Sequence, residues 1–506
     1  MSEEKSERSE HSDDGKDDPG APVMPVQNRR ARSGSAAIPV SALLALTGGA
    51  MQGYANGTSH AVVASVIFLV LGYLVVRLIF PHGKAEHRSY LLTYGIGVFG
   101  GGLAQCYSLV KYDQVQSFVD AIGFFDAIFD APPYYSWEEI TTLWVDGAEV
   151  SRGAPLAVVL WQWVYHFRLL AGLEHGVYVG VMFNALVMGL TACITVRTAR
   201  ELFGNDAWRL RRVGTLFALC GLFVLFSSIL IRDCFTTFLN SLVIWGLVRW
   251  LNRPNSRTLT FAGILTAVAI AAMYYLRARS IVLFGLFWAL AGLCWFIGHR
   301  FDHRRMLVVA LSIPLLLFGS AYVLNYIQVS RDLQAHHREQ YETILGDASQ
   351  EDSIAMRLIV NQPLPVRLAL GSGSLAVFPI PLWAYFDGSR GEYHVIKGYH
   401  GLYQLAVMPL VVVGFILVAR GFLRDRSNSV ALVFLALYLV MNTLAVVATS
   451  LEQRHIAQFM PAFMILATVA DTRETPMRKF VRRIAVGWLG LVVLIHLAWA
   501  AMAMSR

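Results

Sequence analysis

The chain consists largely of long apolar runs, many of them about 18 to 22 residues in length, that carry few or no charged residues. A helix needs about 20 residues to cross the hydrocarbon core of a bilayer, and only helices or closed barrels satisfy every backbone hydrogen bond there. The runs are continuously apolar and do not alternate with polar residues, which favours helices. The sequence therefore predicts an all-α polytopic membrane protein.

The composition supports this fold class. Hydrophobic residues make up 56% of the chain and charged residues only 15%, whereas soluble domains carry about 25% charged residues. The net charge of +8 does not indicate nucleic-acid binding, because the positive residues lie in short loops between apolar runs. The five cysteines lie in or beside those runs and form no CxxC pair, so we expect no metal site and no disulfide framework.

The basic loops predict an orientation, since Lys and Arg collect in cytoplasmic loops. With the N-terminus in the cytoplasm, every strongly basic loop falls on the cytoplasmic side and the C-terminus lies outside. About thirteen spans result, at 38–55, 59–80, 89–110, 175–196, 213–231, 234–251, 258–275, 280–298, 306–325, 399–420, 428–450, 455–470 and 484–503. The predicted location is the inner (plasma) membrane.

The spans divide the chain into six parts. We predict a disordered cytoplasmic tail (1–35), N-terminal transmembrane helices (36–110), a first extracytoplasmic loop (111–173), a transmembrane core (174–325), a second extracytoplasmic segment (326–398) and C-terminal transmembrane helices (399–506). The first loop ends in an apolar stretch that we interpret as an amphipathic surface helix, because a span there would move all later basic loops outside. The second segment ends in a Gly- and Pro-broken apolar piece that favours a re-entrant structure.

Several charged residues interrupt the apolar runs on the predicted outer side. Arg232 and Asp233 divide a run into two helices with almost no loop, and Arg277, Arg279 and Arg454 lie at the outer ends of other spans. An arginine at membrane depth costs about 2.5 to 3.5 kcal/mol, so such residues are candidates for function. Guanidinium groups bind phosphate through paired N–H donors. These five residues are therefore predicted to bind a lipid-linked phosphate.

A purely structural role is the alternative for the same arginines. Arg232 could pair with Asp233 or with Glu452, while the other guanidiniums reach ordinary lipid headgroups. Asn184, inside a span, is expected to form a hydrogen bond between helices.

The acidic first loop offers candidates for catalysis. Glu138 and Glu139 follow two tyrosines and a tryptophan, and either carboxylate could take the proton of an acceptor hydroxyl. Asp146 could assist, and simple solvation is the alternative for each of the three. An acidic loop could also hold a divalent cation, but no ligand spacing requires a metal, and no other cofactor is indicated.

The order of these parts resembles the GT-C superfamily of membrane glycosyltransferases, especially the protein-mannosyltransferase and lipid A aminoarabinose-transferase branch. The resemblance rests on "HGVYVGVMFNALVMGLTACITVRTARELFG", on "LFSSILIRDCFTTFLNSLVIWGLVRWL" and on the late "RHIAQFMPAFMILA". It covers roughly residues 89 to 300 and, weakly, 399 to 470. It implies transfer of a sugar from a polyprenyl-phosphate donor at the outer face, with the base at Glu138 or Glu139. The family usually has Asp-Glu or Asp-Asp where this chain has Glu-Glu.

Three functions follow as hypotheses. The first is an integral membrane glycosyltransferase that acts on an envelope glycan, lipid or protein, with a lipid-linked sugar donor as its partner. The second is a polysaccharide polymerase of the O-antigen or exopolysaccharide type, which the chain also resembles. The third is a transporter of envelope lipids that has no catalytic activity. The sequence leaves the sugar, the acceptor and the oligomeric state open.

Overall fold

A computed structural model describes residues 37–130, 154–277, 280–298, 359, 362–377, 382–386, 391–449 and 453–504. These residues form helices and connecting turns, and none of them lies in a strand. The predicted tail at 1–35 and the predicted span at 306–325 lie outside the described residues. The α-helices are α1 (Ala37–Asn56), α2 (His60–Ile79), α3 (Lys84–Tyr112), α4 (Val119–Asp130), α5 (Pro155–Leu170), α6 (Tyr178–Phe203), α7 (Ala207–Ala218), α8 (Gly221–Ser228), α9 (Asp233–Asn252), α10 (Ser256–Arg277), α11 (Ile281–Gly298), α12 (Leu364–Val377), α13 (Glu392–Arg424), α14 (Arg426–Thr449), α15 (Met460–Ala467) and α16 (Thr475–Met504).

The chain is a polytopic helical membrane protein. Within the described residues, eight helices are long and apolar enough to cross a membrane, or nine if the bent pair α7–α8 counts as one span. The predicted number of thirteen is not confirmed. The helices α1 and α3 match two further predicted spans in position. Both contain several glycines and polar side chains, which lower their hydropathy.

The helices α1 and α3 pack closely because glycines face the contact. A Cβ atom at Gly48 would lie 2.5 Å from the Val98 carbonyl oxygen, so a larger residue would force the helices apart. Small residues at such contacts are typical of membrane helices. The amide of Gln52 donates to the same carbonyl at 2.9 Å, and Asn56 donates to Gln105 at 2.7 Å. These buried polar contacts fix the register of the two helices.

The predicted span at 213–231 is not one straight helix. It comprises α7 and α8, which meet at an angle of 53°. The hydroxyls of Tyr399 and Tyr403 on α13 donate to the carbonyls of Leu219 and Leu216 at 2.9 and 2.8 Å. These hydrogen bonds satisfy carbonyls at the break that no longer have a helical partner, as a buried backbone requires. The break is therefore part of the packing between α7, α8 and α13.

The predicted span at 455–470 is also divided. A 3-10 helix occupies Gln453–Phe459, and the short helix α15 follows with Pro461 in its first turn. Proline fits there because the first-turn N–H groups have no partner in the helix. The 3-10 segment brings Arg454 and Gln458 close to α9, where the side chains of Asn240 and Gln458 form a hydrogen bond of 2.7 Å.

The predicted surface helix is present as α5, which has 16 residues and is thus about 24 Å long. One side is buried and includes Trp161 and Tyr165, whereas Trp163 and Phe167 are exposed. An apolar helix of this length with exposed aromatic residues suits the membrane interface. Its position relative to a bilayer stays a prediction.

Charged residues from several helices lie near each of the two ends of α9. Its 20 residues place Asp233 and Asn252 roughly 30 Å apart. The groups predicted to lie outside surround Asp233, as described below. At the other end, Asn252 donates to the carbonyl of Glu201, where the predicted inner loops meet. The grouping agrees with the predicted topology, and the end that faces the cytoplasm stays a prediction.

Candidate functional site

The site is built around the turn between α8 and α9. The helix α8 ends at Ser228, residue Ile229 has an extended backbone, and α9 begins at Asp233 directly after Arg232. The three apolar residues between Ser228 and Arg232 are completely buried. The Arg-Asp pair therefore lies at a turn whose preceding residues are packed inside the protein, with Asp233 buried and Arg232 partly exposed.

Asn184 on α6 fixes this hairpin. Its amide nitrogen donates to the carbonyls of Ile229 and Ile231 at 3.1 and 3.4 Å, and its oxygen accepts the indole N–H of Trp161 at 3.0 Å. The side chains of Asn184 and Trp161 are both fully buried. The predicted interhelical hydrogen bond of Asn184 is thus confirmed. The same side chain also holds the backbone that leads directly into Arg232 and Asp233.

Two further arginines reach Asp233 and its surroundings from distant parts of the chain. Arg277, the last residue of α10, places its Nη1 atom 3.6 Å from the Oδ1 atom of Asp233. The Nη1 atom of Arg454 donates to the Oδ2 atom of Asp120 at 2.6 Å. Asp120 lies in the first turn of α4. We call the set Arg232, Asp233, Arg277, Arg454 and Asp120 the charge cluster.

Counted over the described residues that define it, the charge cluster holds three guanidiniums and two carboxylates, one more positive than negative charge. Burial, reinforced by the charges of Arg277 and Arg454, lowers the pKa of Arg232 to about 10, against the opposing effect of Asp233 and Asp120. Arg232 therefore stays protonated at neutral pH. A buried group of this charge favours an anionic ligand.

A second polar contact holds the segment that leads into Asp120. Glu392, at the start of α13, is almost fully buried and accepts the backbone N–H groups of Ser117 and Phe118 at 2.8 and 3.1 Å, as well as the Ser117 hydroxyl. The Phe118 ring stacks on Tyr393 with centroids 4.2 Å apart, and the Arg454 guanidinium lies 5.7 Å from the Phe118 ring centroid. The start of the acidic loop is thus attached to α13 and to the 3-10 segment.

The structure brings together four of the eight predicted site residues: Arg232, Asp233, Arg277 and Arg454. Asp233 pairs with Arg277. The structural alternative, in which Arg232 pairs with Asp233 or with Glu452, stays open. The other four, Arg279, Glu138, Glu139 and Asp146, lie outside the described residues, as does Glu452.

Sequence reasoning missed the roles of Asp120 and Glu392. Asp120 is one of many acidic residues in the first loop, and nothing local distinguishes it from Asp126, which is exposed on the same helix. Glu392 belongs to the second outer segment, at a polar position outside the predicted spans. In both cases the distinguishing feature is a partner far away in the sequence, 334 residues for Asp120 and 274 to 275 residues for Glu392.

The part of the chain that the structure describes contains no group of three or more His, Cys, Asp and Glu side chains that could hold a metal ion. The charge cluster has only two carboxylates and three cations, a donor set that suits an anion rather than a cation. The chemistry available here is the recognition of negative charge beside apolar helices.

The fold and the cluster define a helical membrane protein with partly buried arginines at one end of the bundle. No protein-family model matches the sequence, and no curated protein matches it. The functional argument therefore rests on the residues themselves.

Proposed function

We propose that the protein is an integral membrane glycosyltransferase that takes a sugar from a polyprenyl-phosphate donor. The observation that carries the proposal is the convergence of Arg232, Arg277 and Arg454, from three separate parts of the chain, at the end of the apolar bundle. Ionisable residues kept at membrane depth are functional candidates. A lipid-linked phosphate matches both properties of this place, the excess of guanidinium groups and the apolar helices beside them.

The chemical step needs an acceptor hydroxyl, guanidinium groups and a carboxylate base. An acceptor hydroxyl oxygen attacks the anomeric carbon of the sugar, the bond from that carbon to the phosphate oxygen breaks, and polyprenyl phosphate leaves. The guanidiniums stabilise the charge that develops on the leaving phosphate. The hydroxyl proton passes to a carboxylate base, for which Glu138 or Glu139, assisted by Asp146, stays our prediction.

A transfer assay tests this proposal directly. Membranes with the wild-type protein receive a panel of polyprenyl-phosphate hexoses and pentoses labelled in the sugar, and label is measured in lipid, glycan and protein fractions. We expect Arg277→Gln to lower transfer by at least about tenfold. The exposed Arg482, in the first part of α16, provides the matched control Arg482→Gln. Equal rates for these two variants would contradict a role for the cluster.

The base is tested separately by the double variant Glu138→Gln and Glu139→Gln. Full transfer activity in that variant would exclude both residues as the base while leaving the phosphate site intact. Loss of transfer with retained binding of polyprenyl phosphate is the expected result.

A polysaccharide polymerase is the nearest alternative, since it uses the same leaving-group chemistry on a diphosphate-linked repeat. A deletion strain separates the two: single lipid-linked repeats accumulate for a polymerase, and unmodified acceptor accumulates for a monosaccharide transferase.

A lipid transporter is the second candidate, and the 53° bend between α7 and α8 favours it. Broken helices are common at the substrate sites of transporters. Proteoliposomes provide the test, because movement of a polyprenyl-phosphate lipid between leaflets without any covalent product would support transport and contradict the transferase.

A further inference from the structure

A buried hydrogen bond joins the 3-10 segment Gln453–Phe459 to α9. The Nδ2 atom of Asn240 donates to the Oε1 atom of Gln458 at 2.7 Å. Asn240 is fully buried, and Gln458 is 7% exposed. The bond spans 218 positions of the sequence, so it depends on the packing of α9 against the 3-10 segment. We call Asn240 and Gln458 the amide pair.

The amide pair lies beside two members of the charge cluster. Asn240 lies about two turns after Asp233 on the same face of α9, roughly 10 Å along the helix. Gln458 lies little more than one turn after Arg454 on the 3-10 segment, roughly 8 Å along it. Arg454 and Asp233 also interact electrostatically. The hydrogen bond between the amides therefore holds together the two backbone segments that carry Asp233 and Arg454.

Gln458 is held at both ends of its amide. Its oxygen accepts from Asn240, and its nitrogen donates to the carbonyl of His455 at 3.2 Å. His455 is the next residue after Arg454, so the Gln458 side chain connects α9 to the backbone beside this arginine. A change in the amide pair is thus expected to move Arg454 relative to Asp233.

Stability alone does not require polar side chains at these two positions. The Oδ1 atom of Asn240 is buried and has no hydrogen-bond partner among the described residues. An unpaired buried acceptor destabilises the fold, and two apolar side chains of similar size avoid this cost. A buried polar pair instead specifies one relative position of two helices, as a buried asparagine does in coiled coils. The amide pair suits such a positioning role.

We propose that the amide pair positions the Arg454 guanidinium for the phosphate group of the lipid-linked donor. The inference rests on the proposed function and adds Asn240 and Gln458 to the residues of that site. A guanidinium binds phosphate best through two parallel N–H groups, and this geometry requires a defined orientation. The amide pair acts through Arg454, whereas the guanidinium itself contacts the phosphate. Both amides are neutral, so their replacement changes the geometry of the cluster without changing its charge.

Binding of farnesyl phosphate to the purified full-length protein in lipid nanodiscs tests the proposal. We expect Gln458→Met to weaken this binding about fivefold, since the variant removes one hydrogen bond between membrane helices. Affinity for farnesol, which lacks the phosphate, should change by less than about twofold. Unchanged affinity for farnesyl phosphate would overturn the proposal, and so would an equal loss of affinity for both ligands.

A double variant separates positioning from stability. Adding Asn240→Leu to Gln458→Met replaces both partners by apolar side chains, which should return the midpoint of thermal unfolding towards that of the wild-type protein. The affinity for farnesyl phosphate should stay low, because Arg454 is still not held. Recovery of the affinity in the double variant would show a purely structural role and overturn the proposal.

The Arg454→Gln background tests whether the amide pair acts through Arg454. Arg454→Gln itself should weaken binding at least about tenfold, and the residual affinity is then due to Arg232 and Arg277. In this background, Gln458→Met should change the affinity by less than about twofold, because the group that it positions is absent. A further loss of about fivefold would mean that the amide pair acts elsewhere, which contradicts the proposal.

Asn442→Leu is the matched control. Asn442 is also a fully buried amide, but it donates to the carbonyl of Tyr438 within its own helix, at 2.7 Å. This variant should change the affinity by less than about twofold, and a loss equal to that of Gln458→Met would overturn the proposal. If the wild-type protein does not bind farnesyl phosphate, or if Arg454→Gln binds it equally well, the proposed function fails as well. If only the Gln458 variant keeps its affinity, the proposed function stands and the inference on the amide pair fails.

Discussion

The two ends of the helix bundle contain the same kinds of charged residues in different surroundings. At the end opposite the charge cluster, Arg473 bonds to Asp471 and Asp206, and its side chain is 50% exposed. The Arg473 and Arg212 guanidiniums each lie 4.9 Å from the Trp208 ring centroid. Exposed pairs of this kind contribute little to stability. The exposed member of these pairs is the guanidinium, since Asp471 and Asp206 are only 14% and 23% exposed. In the charge cluster, by contrast, the guanidinium side chains of Arg277 and Arg454 are only 21% and 23% exposed.

Burial alone does not separate a candidate site from a structural ion pair, because Arg200 pairs with the fully buried Glu86 at 2.6 Å. The two ends differ instead in the balance of charge among the described residues. Asp206 accepts the backbone N–H groups of Trp208 and Arg209 and so caps α7. Asp206 therefore has a structural role that needs no ligand. Among the described residues, the partly buried guanidiniums of the cluster outnumber its carboxylates, which suits a negatively charged ligand.

The largest effect is expected from Asp233→Asn. This variant leaves buried guanidiniums without their central carboxylate, and loss of one partner of a buried pair costs about 3 to 5 kcal/mol. The matched variant at the exposed end, Asp471→Asn, should lower the midpoint of thermal unfolding much less, because its partner Arg473 is half exposed and solvent screens the pair. Unfolding of both variants in detergent, followed by circular dichroism, makes the comparison, and similar melting temperatures for the two would remove the contrast between the ends.

A smaller effect is expected from Asn184→Leu. The change breaks the bonds to Ile229 and Ile231 and to the Trp161 indole, and we expect a loss of about 2 kcal/mol, since each unpaired buried group costs about 1 to 3 kcal/mol but membrane hydrogen bonds fall near the lower limit. Hydrogen exchange should rise in residues 229–236 and stay unchanged in residues 206–212.

Asn442→Leu is the control for this variant. Asn442 is also fully buried in a span, but its side chain donates to the carbonyl of Tyr438 within the same helix, at 2.7 Å. A rise in exchange at residues 229–236 in this control would mean that the loss of any buried amide loosens the hairpin.

The smallest effect concerns the exposed end. The hydrogen bond from Arg473 lowers the pKa of Asp471 to about 2. Arg473→Gln should return this pKa towards its ordinary value of about 3.9, with only a small fall in melting temperature at neutral pH because the half-exposed Arg473 is screened by solvent. Because the folded pKa is below the unfolded value, the contribution of Asp471 is present above about pH 4 and is lost as the pH falls towards 2.

Titration by carbon NMR of labelled aspartate, with the signal assigned by Asp471→Asn, measures this shift. An unchanged pKa in Arg473→Gln would show that another group is responsible for it.

Parts of the site could be predicted from the sequence. Arg232, Asp233, Arg277 and Arg454 stand out because charged residues in apolar runs are costly and rare. The α5 helix and the amide of Asn184 stand out for a similar reason, as amphipathic or polar exceptions in apolar surroundings. Asp120 and Glu392 do not stand out, because a carboxylate in a polar segment is ordinary until its distant partner is known.

That the chain is a helical, multi-pass membrane protein follows from its residues alone, since the length and apolarity of each run are local properties that decide whether a helix can cross a bilayer. The ion pairs Asp120–Arg454 and Asp233–Arg277 are known only from the folded structure. The same is true of the bend between α7 and α8, which Tyr399 and Tyr403 support. These contacts join residues that are far apart in the chain, and they depend on how the helices pack against one another, which the pattern of a single run does not encode.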